Sequence, residues 1–497
     1  MNLPSYDEVY VVSDLHMGGE SDFQILRGRE CRRLAGFIRR VAQQRPEGKT
    51  ALVLNGDVID TLAEKGSDYI AVDNAQAVVQ RIMADPAFAQ IWDALAALVR
   101  TANRTLIIIL GNHDLELSLP LVQHTISERL TASDSAPRGR IEFSTMGAGY
   151  TCLVGGRRVF ITHGNEVDAW NYVRYEDLAR AARRLNSGRP LTAKEWEPNA
   201  GTMLVKQIMN EIKRTYRWID LLKPEVQAAL GVLIAIDPGQ AEKLRNILPV
   251  IGERVVGQAE VDQRLSVTGF GVPAAGGARP VTLDSLLGPN LLAAVSQKRG
   301  DQPRADEMLR RAEENFGNFQ PKDYSLNQPL GTWQYVWDRI TGWLTGVSKE
   351  EALRRALLDW LRGDQTFVIS NQDDTFKEVL GSIGPDIDFI ITGHTHLERA
   401  IDAGGGRYYF NCGTWIRLLC FTKEMLNNEE SFKPVYHVLE KGSMEAIDQA
   451  SFNNAPLVLD RSSAVRIRAE NGATVGELLH ILNDGNEQQS VLQFVKG

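Results

Sequence analysis

Four short apolar runs in the first third of the chain restrict what it can fold into. They are "VYVVSD" (9–14), "TALVLNGD" (50–57), "TLIIILGN" (105–112) and "RVFITHG" (158–164). Each is rich in β-branched residues and ends at glycine or a polar side chain. Between the first three lie longer segments with helical spacing, "ECRRLAGFIRRVAQQ" (30–44) and "FAQIWDALAALVRTA" (88–102). Strands that are apolar along their whole length and alternate with amphipathic helices predict an α/β layered sheet covered on both faces. Ligands of such sheets bind outside the carboxyl ends of the strands.

A fifth run of the same kind, "DIDFIITGH" (386–394), follows only after a long gap. The polar residues closing the first four runs are regularly spaced, and the regularity breaks between residues 163 and 394. A connection that long is an insertion, not a loop. Its patterns are helical in "RYEDLARAARRLN", "TMLVKQIMNEIKRTYRWIDLL" and "SKEEALRRALLDWLRG", with a flexible loop at "GFGVPAAGGARP" (269–280). Seven of the nine tryptophans fall in it, and it is slightly basic while the remainder carries the acidic excess. The expected organisation is a discontinuous core of residues 1–168 and 382–445 and a helical cap of 169–381. A small α/β extension over 446–497 completes it. After "RYYFNCGTW" (407–415), "IRLLCF" and "VYHVLE" read as closing strands of a second sheet, and a helix is expected near "VGELLHIL".

The net charge of −8 removes a global basic field for nucleic acid, though not a local groove. Cys31, Cys152, Cys412 and Cys420 form no CxxC pair and read as reduced thiols. No run approaches the length of a membrane span, and the first strand begins too early for a secretory leader. A cytoplasmic setting is expected.

The strand ends carry the chemistry. In order they present Asp14 and His16 in "SDLH", Asp57 and Asp60 in "GDVID", and Asn112, His113 and Asp114 in "GNHD". His163 in "THG" and His394 and His396 in "GHTH" complete the set. Carboxylate, carboxamide and imidazole suit Mn²⁺, Fe or Zn²⁺, and are unlike the thiolates of a structural zinc site. The donors suffice for two ions, with a carboxylate between them. Singly each motif has a plainer reading: His163 as an ordinary buried polar residue, "GNHD" as a turn, Asp60 as a cap on the following helix.

These five motifs, ordered and each behind a strand, resemble the signature of the calcineurin-like metallophosphoesterases, in a bacterial-type form with a large helical insert. The resemblance spans roughly 9–168 and 382–440. It implies an α-β-β-α sandwich and two divalent ions, manganese first, with iron, zinc or nickel as alternatives. Asp14, His16, Asp57 and His396 would hold one ion; Asp57, Asn112, His163 and His394 the other. A hydroxide shared by the ions would attack phosphorus. His113 would assist the leaving group and Asp114 would orient it, with Asp60 and Asn165 supporting from behind the ligands. The implied substrate is a phosphodiester or pyrophosphate more readily than a phosphoprotein. Pyrophosphohydrolases of lipid A synthesis share "SDLH", "GHTH" and a following "GTW" (413–415). Nuclease subunits of double-strand-break repair complexes share "GNHD" and a Gly-His-x-His, which keeps a nucleotide or nucleic-acid substrate open. A metal-bound scaffold acting with a protein partner or as a homo-oligomer through cap or tail is the reading from a different class.

Overall fold

The computed structural model of the chain describes residues 3–20, 23–65, 69–168, 170–189, 191–192, 195–223, 229–240, 243, 289–290, 347–361 and 366–497. The chain divides into two compact units. One comprises Met1–Pro198, Phe367–Arg417 and Asp460–Gly497; the other comprises Asn199–Thr366 and Leu418–Leu459.

The first unit is built on β1 (Ser5–Tyr6), β2 (Glu8–Val12), β3 (Thr50–Asn55), β4 (Arg104–Ile109), β5 (Ile141–Ser144), β6 (Tyr150–Val154) and β7 (Arg157–Ile161). It continues with β8 (Phe389–Thr392), β9 (Glu398–Gly404), β10 (Arg407–Cys412), β11 (Ser463–Glu470), β12 (Ala473–Leu482) and β13 (Glu487–Lys496). They form two sheets, ordered β1-β6-β7-β8-β10-β9 and β13-β12-β11-β2-β3-β4-β5. Strands β2 to β5 run parallel, and β11 joins antiparallel to β2.

Side-chain alternation explains the layering. Val9 and Val11, Ala51 and Val53, and Ile107 and Ile109 point from one sheet toward Val159 and Ile161, Phe389 and Ile391 of the other, and all are buried in one cluster. The opposite faces take helices. On one side lie α1 (Gly28–Gln43) and α2 (Ala89–Arg100), with the Phe37 ring edge-on to Tyr10 at 5.7 Å. On the other, α3 (Asp374–Ser382) sets Phe376 and Val379 on Ile390, Ile401 and Tyr409. The architecture is therefore the expected α-β-β-α sandwich. No single helix among the described residues is long and apolar enough to cross a membrane.

The last forty residues depart from expectation. "VGELLHIL" is not a helix but the middle of β12, a central strand, and β11 to β13 extend the core sheet instead of forming a separate extension. The misreading has a physical cause. β12 is buried on both faces, Gly476 lying directly against Phe389 and Ile467, so the strand shows no alternation of apolar and polar residues. "VYHVLE" is likewise not a strand: it lies in the helix Glu429–Lys441, capped by Asn428 and closed by left-handed Gly442. Of "IRLLCF", only Leu418–Leu419 is a strand, paired with Val458–Leu459.

The second unit is mainly helical where described, including Ala200–Leu204, Ala229–Ile236, Lys349–Leu361 and Glu429–Lys441, with two short strand pairs beside them. Trp218 is buried and donates its indole N–H to the Leu439 carbonyl at 2.9 Å, and Trp360 packs edge-on to Phe421 at 5.8 Å. These two tryptophans act as packing. Trp333, Trp337, Trp343 and the loop 269–280 lie outside the described residues.

Candidate metal centre

Each strand of the sequence pattern ends at the same place. Asp14 and His16 follow β2, Asp57 and Asp60 follow β3, and Asn112, His113 and Asp114 follow β4. His163 follows β7, and His394 and His396 follow β8. The parallel register of β2, β3 and β4 brings the first three turns side by side, and that of β7 with β8 does the same for the last two.

The backbone here is forced into an uncommon conformation. Asp14, His16, Asp57, His394 and His396 all have positive φ, between 49° and 69°. For residues other than glycine this region costs on the order of 1–3 kcal/mol each, and it concentrates at functional sites. Two glycines let the turns approach. A Cβ at Gly111 would overlap the Asp57 carboxylate, and one at Gly393 would overlap the Ser13 hydroxyl.

Three overlapping groups of donors result: Asp14, His16 and His396; Asp57, His163 and His394; and His16, Asp60 and His113. Within each group the donor atoms lie within 4.8 Å of one another. In the first, His16 Nε2 is 3.2 Å from His396 Nε2, which is 3.4 Å from Asp14 Oδ1. Asp57 Oδ2 lies between the groups, 3.7 Å from His16 Nε2 and 3.3 Å from His163 Nε2. Its other oxygen accepts the His113 amide at 2.9 Å.

Two outward nitrogens are held by oxygen. His163 Nδ1 is 2.7 Å from the Asn55 carbonyl, and His394 Nε2 is 2.8 Å from Asp168 Oδ2. Such partners fix tautomer and ring orientation in metal-binding histidines. His16 Nδ1 lies farther, 3.6 Å, from Asp60 Oδ2.

The Asp114 carboxylate is engaged by backbone: one oxygen accepts the Gly111 amide and the other the Val58 amide, each at 2.7 Å. Its work is to tie two strand-end turns together. The carboxylate 3.5 Å from His113 Nδ1 belongs to Asp60, which also accepts the Ala63 amide at 3.1 Å. Residues 61–65 form turns and not the helix expected there, so this bond is a turn contact and not a helix cap. Asn165 is fully buried and donates to the Asn171 carbonyl at 3.2 Å. Asp168 carried no signal in the sequence, since only the fold brings it to His394.

Charge in the cluster is unbalanced. Burial opposes ionisation of Asp57, but the imidazoles of His163, His113 and His16 hold its carboxyl well below the usual range. Burial also opposes charge on His163, yet Asp57 beside it lifts the imidazole to about 10. Asp14 is raised by burial, against His163 and with the charge of Asp57 adding to the rise. Burial and then Asp57 push Asp114 up to about 8.

The donors fit divalent metal. Asp14 Oδ1, Asn112 Oδ1 and His163 Nε2 are buried and make no hydrogen bond, a costly state for polar atoms unless a ligand satisfies them. All three are among the expected ligand residues.

Residues 8–214 match the family model of the calcineurin-like phosphoesterases, which are metal-dependent phosphoric ester hydrolases, and the two-sheet sandwich with carboxylates and imidazoles gathered at its strand ends agrees with that match. The matched span ends before His394 and His396, which the fold itself carries to the same site. No curated protein matches the chain.

Proposed function

We propose that the chain hydrolyses a phosphodiester or pyrophosphate with two divalent ions, manganese foremost. Asp14, His16, Asp57 and His396 hold one; Asp57, Asn112, His163 and His394 hold the other. The observation that carries this reading is the position of Asp57, whose Oδ2 lies between His16 and His163 of two separate donor groups. When bound, the cations supply an acidified water and positive charge at the phosphoryl group.

The protein's own contribution follows from its hydrogen bonds. Asp60 lies 3.5 Å from His113 Nδ1, an arrangement in which Nε2 would pass a proton to the leaving oxygen. The His113 amide fixes one oxygen of Asp57, so the carboxylate keeps its other oxygen toward the two histidines. Asn55 and Asp168 keep His163 and His394 from rotating. The ligand side chains are nearly all buried, which shields the site from bulk water and strengthens its electrostatics.

The test is a substrate panel with Mn²⁺: bis-p-nitrophenyl phosphate, p-nitrophenyl phosphate, cyclic nucleotides, a nucleoside diphosphate ester and short single-stranded DNA. Turnover of the diester or pyrophosphate substrates above the monoester supports the proposal. Faster turnover of the monoester, or none of any substrate, overturns it.

A further inference from the structure

His394 has a carboxylate within hydrogen-bonding distance of its outward nitrogen. His163 is held by a backbone carbonyl, whereas His394 Nε2 faces a carboxylate, Asp168 Oδ2, at 2.8 Å. Asp168 follows the turn after β7, while His394 follows β8, so the two meet only through the sheet. The carboxylate is itself fixed. Its Oδ1 accepts the Trp170 amide at 2.9 Å, and its Oδ2 also accepts the Asn171 side-chain amide at 2.8 Å. Three donors converge on one carboxylate, and two of them come from its own loop. The third is the imidazole.

This arrangement constrains His394 in two ways. With Nε2 turned to Asp168, Nδ1 is the nitrogen left for the group formed with Asp57 and His163. A carboxylate acceptor also places more electron density on the ring than a carbonyl does, so the opposite nitrogen becomes a stronger donor. The residue's φ of 69° adds a reason for such a tether, since the left-handed turn gives His394 no support from regular backbone structure.

We infer that Asp168 is a positioning residue that holds His394 with Nδ1 toward the second metal ion, and that the affinity of the second ion alone depends on it. The inference rests on the two-ion reading above and deepens it. The hydrogen bonds of its side chain go to His394, Trp170 and Asn171, none of them a donor of the first group.

The experiment is a Mn²⁺ titration of the metal-stripped full-length protein by calorimetry, with free Mn²⁺ followed in parallel by electron paramagnetic resonance. Wild type, Asp168→Ala and Asp168→Asn are compared, and thermal melting of the stripped proteins monitors the fold. Asparagine keeps the shape and an acceptor oxygen but removes the charge, and so serves if the alanine variant does not fold. The expected result is two ions in wild type. The second should weaken about 10–100-fold in Asp168→Ala and by a smaller factor in Asp168→Asn, with the first unchanged. Two ions held in both variants as tightly as in wild type, or equal weakening of both, overturns the role of Asp168. Fewer than two ions in wild type overturns the two-ion reading itself, an outcome seen before any variant is compared.

Discussion

Asp60 stands between two imidazoles, Oδ1 3.5 Å from His113 Nδ1 and Oδ2 3.6 Å from His16 Nδ1. Burial opposes its ionisation, but hydrogen bonds and charge from His113 and His16 hold its carboxyl well below the usual range. One carboxylate thus couples the proposed proton donor to a metal ligand. Replacing Asp60 by Asn should lower kcat by roughly 10²-fold, within the range of general acid–base effects. The double variant with His113→Asn should be no slower than His113→Asn alone, because the pair acts as a unit. Steady-state kinetics on bis-p-nitrophenyl phosphate with Mn²⁺ tests this, and additive losses would break the coupling.

Asp57→Asn should abolish turnover while leaving the fold in place. Asparagine tolerates the φ of 50° at this position, so the backbone need not move. What disappears is the charge between His16 and His163. Metal content by plasma emission should fall from two ions to one or fewer, and chelation of wild type should reproduce the loss, reversed by added Mn²⁺.

Removing residues 460–497 should prevent folding of the first unit. Val465, Ile467 and Leu478 belong to the cluster between the sheets, and β11 pairs with β2, whose end carries Asp14 and His16. Losing even one such side chain costs about 2–5 kcal/mol where a cavity is left, comparable with much of a domain's stability. Soluble yield and circular dichroism of the truncated chain check this, and a cooperative native-like melt would contradict it.

Thiol chemistry offers a pH-dependent test. Burial, with Glu30 nearby, pushes the Cys31 thiol up to about 12, and burial with Glu142 does the same for Cys152. Burial holds Cys412 well above the ordinary thiol range. In the unfolded chain these groups ionise near pH ~8.5. The folded state therefore keeps protons that the unfolded state loses above that value, so stability is full below pH ~8.5 and declines as pH rises toward about 12. At pH 8, Ellman's reagent should label native protein only at half-buried Cys420, and all four cysteines after denaturation. Rapid labelling of four thiols in the native state would refute it.

The sandwich and its site were legible because apolar strands ending in a metal-binding side chain leave a trace in the local sequence. β2, β3, β4, β7 and β8 each carry that trace, down to the glycines that let the turns close. Roles decided by distance in space left none. Asp60 and Asp114 look equivalent beside their motifs, and only the fold brings Asp60 to 3.5 Å from His113 Nδ1 while Asp114 accepts the Gly111 and Val58 amides. Asp168 meets His394 through sheet pairing, which no short-range pattern encodes. β12 was opaque for the opposite reason: burial on both faces erased its alternation.

The antiparallel pairing of β11 with β2 has a consequence for the order of synthesis. The strand that presents the first two ligands is synthesised about 450 residues before the strand that flanks it. The centre must also wait for His394 and His396. A nascent chain therefore carries the first motifs without a closed centre until β11 has followed them.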